Sequence, residues 1–320
     1  MYIEVRRIGK SRKYYLAHSY RKGGKVRKIK IYLGLNLSRT ELKDKRSHAE
    51  TEINARIRAA EEIHDPLKTV LSPAELEELK TLEAKGEARI SHLSEDDWAR
   101  FSEAFTYDTN AIEGSMITAK EVENILERDE WPAGKTREDI SETYGVADAI
   151  KHIRKTKDHL SVKLMKELHF MIFKSSKPFA GKIRPKGVEV VVADANKNVV
   201  HRGAPSAMVP RMLRDLVGWY DKNKRKYPPM VLAAVVHNQF ESIHPFQDGN
   251  GRVGRLIMIN ILLKHGKPPL NIEMENRQAY YHALQAYQRF SDLRPTLELM
   301  IKEYRALKRT LKRKRSDKKG

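Results

Sequence analysis

Two long apolar stretches with helical spacing constrain the fold of this chain more than any other feature. Residues Pro229 to Ser242 and Asn250 to His265 repeat apolar side chains at the intervals of a helix, a pattern typical of helices that are buried over much of their surface. The segment between them is short and contains proline and glycine. Further helices are predicted at 140–155, 161–173, 208–222 and 277–289, so the sequence indicates a mainly α protein.

The first forty residues follow a different pattern. Tyr2 to Ile8, Lys13 to Tyr20 and Lys25 to Leu33 are rich in Tyr, Val and Ile, and Gly23-Gly24 separates the last two stretches. These features predict a small β module with a hairpin. Three short strands are marginal alone and need a packing partner.

Helical patterns begin near Ser38 and include the charged stretch Ala74 to Ala88. Ser94, followed by three acidic residues, and Thr118 with Glu121 three residues later are predicted helix N-caps. Gly114 is suited to a helix C-terminus. The expected organisation is a basic β module (1–40), a helical region (41–115), a large helical domain (116–305) and a basic tail (306–320), whose composition predicts disorder.

One hairpin is expected inside the helical body. Val188 to Ala193 and Asn196 to His201 contain β-forming residues around a polar turn, which is a hairpin pattern. Because a lone hairpin among helices is unusual, we expect it to carry a function.

The positive charge is concentrated at the two ends of the chain. The formal net charge is +20, of which residues 1–50 contribute +11 and residues 301–320 contribute +8, leaving +1 for the rest. There is no cysteine, which excludes disulfides and thiolate metal sites and favours a cytoplasmic location. No apolar run approaches the roughly 20 residues of a membrane helix, so no membrane association is expected.

The segment His244 to Arg255, HPFQDGNGRVGR, concentrates groups suited to phosphate chemistry. Glycines beside the start of a helix let the backbone amides approach an anion, and Arg252 and Arg255 can bind further phosphates. Asp248 is a carboxylate of the kind that binds Mg²⁺ together with phosphate oxygens. His244 is a base that titrates near neutrality and can accept a proton from a hydroxyl.

Other types of site fit this segment less well. The Gly-x-x-x-x-Gly-Lys-Ser/Thr pattern of a P-loop is absent. A zinc site at His237 and His244 lacks one-face helical spacing and an obvious third ligand.

The segment resembles the signature of the Fic family, HxFx(D/E)GNGRxxR, at every specified position, and the resemblance extends over about residues 100–305. It implies a helical domain with a β-hairpin flap and transfer of AMP from ATP to a protein hydroxyl with Mg²⁺. The implied roles are general base for His244, buried anchor for Phe246 and magnesium ligand for Asp248. The implied nucleotide-binding residues are Gly249, Asn250 and Gly251 as anion cradle, Arg252 and Arg255 on the phosphates, Val253 and Gly254 within the same motif, and the pair Tyr280 and Tyr281 over the nucleotide.

A second motif resembles the inhibitory sequence of this family, (S/T)xxxE(G/N). It runs from Thr109 to Gly114 and contains Glu113. The resemblance implies that Glu113 pairs with Arg255 and so competes with the γ-phosphate of ATP. An ordinary salt bridge at a helix end is the alternative.

Several alternatives stay open on the sequence. Phosphotransfer from ATP is disfavoured by Gly251, because the family members with that activity have lysine there. Hydrolytic removal of AMP at the same site is compatible with the motif. A nucleic-acid-binding regulator, or a weaker contact with nucleic acid, is compatible with the basic ends. ATP and a protein substrate are the expected partners, and the sequence is compatible with a homo-oligomer.

Overall fold

The computed structural model describes residues 1–9, 11–22, 25–62, 93–193 and 199–317, with a few single positions between 72 and 81. The chain divides into two compact units, Met1–His64 and Asp65–Gly320. Each unit is described by itself.

The N-terminal unit is a three-stranded antiparallel sheet with one helix. Strands β1 (Tyr2–Ile8), β2 (Ser11–Lys22) and β3 (Lys25–Leu35) are ordered 1-2-3. Helix α1 (Arg39–Glu62) packs on the sheet, and their shared core contains Leu16, Leu33, Ala49 and Ile53. This helix provides the packing partner that a short sheet requires.

The predicted strands are present, but the boundary of this unit lies further along the chain than expected. The unit extends to His64 rather than to residue 40, because the apolar side of α1 covers the sheet. Residues 65–320 form one compact unit. A finer division of that unit into an inhibitory region, a Fic domain and a tail stays a prediction. The Gly23-Gly24 turn lies outside the described residues, as does most of the predicted helix at 74–88.

The second unit is mainly helical, and the prediction of a mainly α fold is confirmed. Its described helices are α2 (Glu95–Ile112), α3 (Ala119–Arg128), α4 (Arg137–Lys155), α5 (Val162–Phe173), α6 (Val209–Asn223), α7 (Pro229–Ile243), α8 (Asn250–Lys264), α9 (Arg277–Phe290) and α10 (Arg294–Asp317). A single 3₁₀ turn, Met274–Asn276, precedes α9.

The two apolar stretches are the most buried helices of the unit. Nearly every residue of α7 and α8 is buried, including charged and polar ones, and the two helices pack on each other. The segment that joins them is therefore fixed at both ends by the core.

Both predicted N-caps are present with full capping boxes. Ser94 caps α2 with Asp97, and Thr118 caps α3 with Glu121. Helix α2 ends at Ile112, Glu113 is its C-cap, and Gly114 follows with a φ of 97°. Such a backbone angle favours glycine directly after a helix.

The hairpin is present and short. Strands β4 (Val191–Ala193) and β5 (Val199–Arg202) pair antiparallel, with Val192 opposite His201. Residues 194–198 lie outside the described residues.

The C-terminal segment differs from the predicted disordered basic tail. Helix α10 runs without a break from Arg294 to Asp317, and Met300 and Tyr304 are buried within its first half. The expectation of a disordered tail from residue 306 is wrong, because the helix that begins on the core continues through the basic stretch. Among the described residues, no helix combines the length and apolar character needed to cross a membrane.

Candidate active site

The site begins where α7 ends. His244 is the C-cap of α7 and has left-handed backbone angles, φ 52° and ψ 63°, a conformation that is costly for a residue with a side chain. It persists because Phe246, fully buried two residues later, stacks on His169 with ring centroids 4.0 Å apart. The Asn250 side chain closes the loop by donating to the Phe246 carbonyl and accepting from its amide.

His244 is a neutral imidazole in this setting. Burial and the nearby His201 lower its pKa to about 4. Its Nδ1 lies 3.3 Å from the Glu241 carbonyl oxygen, and a carbonyl can only accept, so Nδ1 carries the hydrogen. The lone pair is then on Nε2, where it can accept a proton.

The N-terminus of α8 lies directly after this loop and has no side-chain cap. Its N-cap is Gly249, with a φ of 75°, so the first backbone amides of the helix keep free donors. A Cβ at Gly249 would lie 2.2 Å from the ring of Phe173, and a Cβ at Gly251 would lie 2.1 Å from Glu113 Oε1. Only glycine fits at position 249, and a larger residue at position 251 would have to displace the Glu113 side chain. The amides at the start of α8 form a cradle suited to an anion.

Arg255 is fully buried, and four of its five N–H groups donate hydrogen bonds. Its Nε donates to the Thr109 hydroxyl and its Nη2 donates to the Thr109 carbonyl. Nη2 also donates to Glu113 Oε1 at 2.8 Å, and Nη1 to the Tyr280 hydroxyl at 3.3 Å. The end of α2 therefore occupies the arginine nearest the cradle.

The end of α2 is held by two further contacts. The Tyr281 hydroxyl donates to the Ile112 carbonyl at 3.0 Å. Asp108, buried one turn earlier, accepts from the Asn271 side chain and the Met274 amide. These contacts hold the last turns of α2, while the side chain of Glu113 that follows is 31% exposed.

Arg252 and Asp248 lie at the outer side of the cradle. Arg252 is ion-paired with Glu142 on α4 and lies over the ring of Phe173, 4.5 Å from the centroid. Asp248 accepts from the Gly249 amide at 2.6 Å, and Lys177 Nζ lies 3.5 Å from its other oxygen. Its side chain is 47% exposed, so an oxygen is accessible to a cation.

The remaining predicted residues have less direct positions. Tyr280 is buried and accepts from Arg255, while its hydroxyl also contacts His237 Nε2 at 3.0 Å. Val253 is fully buried, and Gly254 packs against the side chains of His237 and Glu241. Val253 and Gly254 therefore have a packing role beneath the cradle.

Glu241 is a buried carboxyl group that the sequence motif does not include. It lies on the last turn of α7, and its Oε1 has no hydrogen-bond partner among the described residues. Burial, reinforced by the charge of Glu113, raises its pKa to about 8. Gly254 makes room for it, since a Cβ at that position would lie 2.4 Å from Glu241 Oε1.

Arg184 makes several hydrogen bonds at the site, and the sequence did not predict them. It is fully buried, donates from its backbone amide to the Pro245 carbonyl and from Nε to the His244 carbonyl. Its other nitrogens donate to the carbonyls of Val188 and Ala204, before and after the hairpin. The one available signal was the short Gly181-to-Pro185 turn ahead of the hairpin, which gives no hint of burial.

These groups surround one cavity of about 480 Å³. It is lined by residues of α2, the hairpin, the loop, the cradle and α9: among them Glu113, Val192, His201, Glu241, His244, Gly251, Tyr280 and Tyr281. His244, Gly251 of the cradle and Glu113, which binds Arg255, therefore border one space. Within the described residues, no group of three or more His, Cys, Asp or Glu side chains is arranged to hold a metal ion.

Comparison with known proteins agrees with this architecture. The Fic/DOC family matches residues 159–262. Protein adenylyltransferase fic-1 of Caenorhabditis elegans is 30% identical over 211 residues, covering 63% of this chain and 39% of that protein. Protein adenylyltransferase Fic of Drosophila ananassae is 29% identical over 220 residues, covering 66% and 39%. The chain thus matches about two fifths of the length of these relatives.

Solved structures show the same fold. Fic-1 of C. elegans superposes with a TM-score of 0.63 at 23% identity, covering 89% of this chain and 79% of that structure. A Fic-domain signaling protein of Bacteroides thetaiotaomicron gives 0.61 at 23% identity, covering 74% and 94%. The motif, the hairpin and the helical fold together identify the chain as a member of the Fic-domain family.

Proposed function

We propose that this protein transfers AMP from ATP to a hydroxyl group of a protein side chain, and that Glu113 restrains this activity. The observation that carries the proposal is that a neutral His244, Gly251 at a free helix N-terminus and Glu113, the ion-pair partner of Arg255, line one cavity. The relatives named as protein adenylyltransferases support it.

His244 acts as the general base. Its Nε2 takes the proton of the attacking hydroxyl while the hydroxyl oxygen forms a bond to the α-phosphorus. The bond from that phosphorus to the α,β-bridging oxygen breaks, and pyrophosphate leaves. The Nδ1–H contact with the Glu241 carbonyl keeps the ring in the productive tautomer.

The triphosphate would lie along the cradle. Backbone amides at the start of α8 would bind and orient the phosphate oxygens, and Arg252 and Arg255 would neutralise their charge. Asp248 fits a magnesium site because Mg²⁺ often takes one carboxylate and completes its shell with phosphate oxygens and water. When bound, Mg²⁺ would neutralise charge on the phosphates and the leaving pyrophosphate.

Glu113 competes with the γ-phosphate for Arg255. Both are anions, and while Thr109 and Glu113 hold Arg255 its Nε and Nη2 groups have no N–H left for a phosphate. Nucleotide can enter the remaining cavity, but with its γ-phosphate displaced. The α-phosphate is then misaligned for attack, which limits turnover.

The hairpin is the proposed docking element for the target segment. An extended peptide can add to a strand by main-chain hydrogen bonds while tolerating many side chains. Arg184 binds carbonyls at both ends of the hairpin and the carbonyl of His244. A peptide paired with the hairpin would therefore have a defined position relative to His244. The target protein is expected in the cytoplasm.

Labelled nucleotide tests the proposal. The purified chain is incubated with MgATP carrying label at either the α or the γ position, in the presence of a cell extract, using Glu113→Gly to relieve the restraint. AMP transfer predicts protein labelling from the α position alone. Labelling from γ would indicate phosphotransfer, and loss of AMP from pre-labelled protein without new transfer would indicate hydrolysis; either result overturns the proposal.

A further inference from the structure

The sheet of the N-terminal unit has one free face among the described residues. Helix α1 packs with Leu16 and Leu33, and Ile29 and Ile31 point to the same side. Successive residues of a strand point to opposite faces. The residues that alternate with this core therefore form a second face, which we call the open face.

The open face carries cations and tyrosines. It is defined by Arg6, Lys28 and Lys30 together with Tyr2, Tyr15 and Tyr32, which lie on this side of the three strands, with Tyr15 directly opposite Tyr32. Tyr2 is 46% exposed and Tyr32 is 52% exposed. Large aromatic rings left half in water on a sheet are a marker of an interaction surface.

The cationic side chains of the open face pack on its tyrosine rings. Lys28 lies over the Tyr2 ring at 5.1 Å from its centroid, and Arg6 lies over the Tyr15 ring at 5.6 Å. The rings of Tyr15 and Tyr32 are 5.4 Å apart, tilted by 55°. Side chains that brace one another lose less freedom when a ligand binds.

Glu4 anchors the cations at the centre of the face. Its carboxylate contacts Lys28, Lys30 and Arg6 at 2.7, 2.5 and 3.1 Å. On the central strand Tyr15 lies opposite Glu4 and the small Ala17 lies opposite Lys30, so the contact with Lys30 crosses this strand diagonally. These partners lower the pKa of Glu4 to about 2, so it stays ionised and yet offsets only one of three positive charges.

The charge around the open face is predominantly positive. Residues 1–35 contain eleven Lys or Arg and a single acid, Glu4. A partner must therefore be anionic, and it must also present flat surfaces to the tyrosines. Single-stranded nucleic acid has both properties, since its phosphates match a basic surface and its unpaired bases stack on aromatic rings. An acidic peptide would satisfy the charges alone.

We infer that the open face binds single-stranded nucleic acid, with phosphates on Arg6, Lys28 and Lys30 and bases against Tyr2 and Tyr32. This activity is separate from AMP transfer, because every residue it uses lies in the N-terminal unit. A variant of the proposed active site, His244→Ala, is expected to bind nucleic acid as the wild type does.

Fluorescence anisotropy of the full chain with a labelled 20-nucleotide single strand tests the inference. Binding should weaken steeply with salt, and Lys28→Gln/Lys30→Gln should reduce the salt slope by about 0.7 for each phosphate that the variant no longer neutralises. Tyr32→Ala should weaken binding by roughly fivefold or more, because a base can no longer stack at that position. The matched control is Lys43→Gln/Lys45→Gln, which removes the same charge from α1 and should have little effect.

Thermal unfolding of each variant confirms that the fold is kept. Absence of binding at low salt would overturn the inference, and so would equal losses in the open-face and α1 charge variants. A duplex probe and poly-glutamate are tested in parallel. If either binds as tightly as the single strand, and Tyr32→Ala leaves all three unchanged, the surface is a general anion binder and the inference is wrong.

Discussion

The side chain of Glu241 lies 4.0 Å from Nδ1 of His244, and yet the two are not an ion pair. Burial lowers the pKa of His244 to about 4 and raises that of Glu241 to about 8, so at neutral pH the imidazole and the carboxyl group are both uncharged. The arrangement keeps the base unprotonated without placing a permanent negative charge beside Glu113. Two titrating groups thus lie beside each other with pKa values moved in opposite directions, as at many reactive sites.

Stability of a Glu241→Gln variant should reveal this buried acid. The folded protein keeps the proton of Glu241 up to about pH 8, whereas the unfolded chain releases it near pH 4.5. Unfolding is therefore favoured as pH rises through this window. Glutamine has no proton to release, so the variant should gain melting temperature relative to wild type between pH 5 and pH 8. The exposed Glu130→Gln is the control; parallel curves for all three proteins would contradict the raised pKa.

In the pH–rate profile of AMP transfer, the loss of activity on the acid side should occur below the usual pKa of histidine. With a pKa of about 4 against the usual 6.5, His244 stays an unprotonated base until well below pH 6. In the Glu113→Gly background, kcat/KM for AMP transfer should fall only as pH drops toward that value. An acid limb centred near 6.5 would show that the group seen in catalysis is a solvated histidine instead.

Replacing Glu113 with glycine should raise AMP transfer by about tenfold or more, since freeing Arg255 shifts the population toward correctly bound ATP. Self-labelling with α-labelled ATP measures this. The apo variant should lose stability, by less than the roughly 3–5 kcal/mol of a fully buried pair, because the Glu113 side chain is 31% exposed. MgATP should restore part of the melting temperature by giving Arg255 a phosphate partner.

Two companion variants sharpen that experiment. Glu113→Gly/His244→Ala should not label, which shows that the gain passes through the same site. Glu127→Gly, on the neighbouring helix α3, changes charge and backbone freedom alike without contacting Arg255, and should stay as silent as wild type. If Glu113→Gly is itself no more active than wild type, the proposed restraint by Glu113 is wrong.

A double-mutant cycle can test whether Gly251 and Glu113 share one space. The added Cβ of Gly251→Ala would lie 2.1 Å from Glu113 Oε1, so overpacking should cost about 1–3 kcal/mol in the wild type. In Glu113→Gly the clash with the carboxylate is absent and the remaining close atom is Arg255 Nη1 at 3.0 Å, while alanine in a helix is favoured over glycine by roughly 0.5–1 kcal/mol. Denaturant titration should therefore show strong coupling between the two changes; additive effects would contradict it.

Local patterns predicted much of the fold and of the site. The capping residues Ser94 and Thr118, the buried helices α7 and α8 and the hairpin follow from spacing of a few residues. The Glu113–Arg255 contact joins residues 142 positions apart, and it was predictable only because both motifs resemble known ones. The sequence itself carries no distance information across that interval.

The contacts that were missed are long-range and have no motif of their own. Glu142 pairs with Arg252 from 110 residues away, and Arg184 reaches the His244 loop from 60 residues away. A buried arginine or glutamate looks like a surface residue in one sequence, because charged side chains are mostly exposed. The extent of α10 was missed for a related reason: a basic stretch has low apolar content whether or not it continues a helix that began on the core.

Arg184 gives the hairpin a property that bears on how this fold can change during evolution. Its guanidinium binds the carbonyls on both sides of the hairpin and the one at His244, so the base of the hairpin is fixed independently of what lies between its strands. The connecting residues can then be lengthened, shortened or exchanged during evolution while His244 keeps its place. Because three segments of the chain depend on Arg184, its replacement should displace the hairpin and the His244 loop together. Lysine, with one point charge in place of a planar fork, could not hold three segments of the chain together.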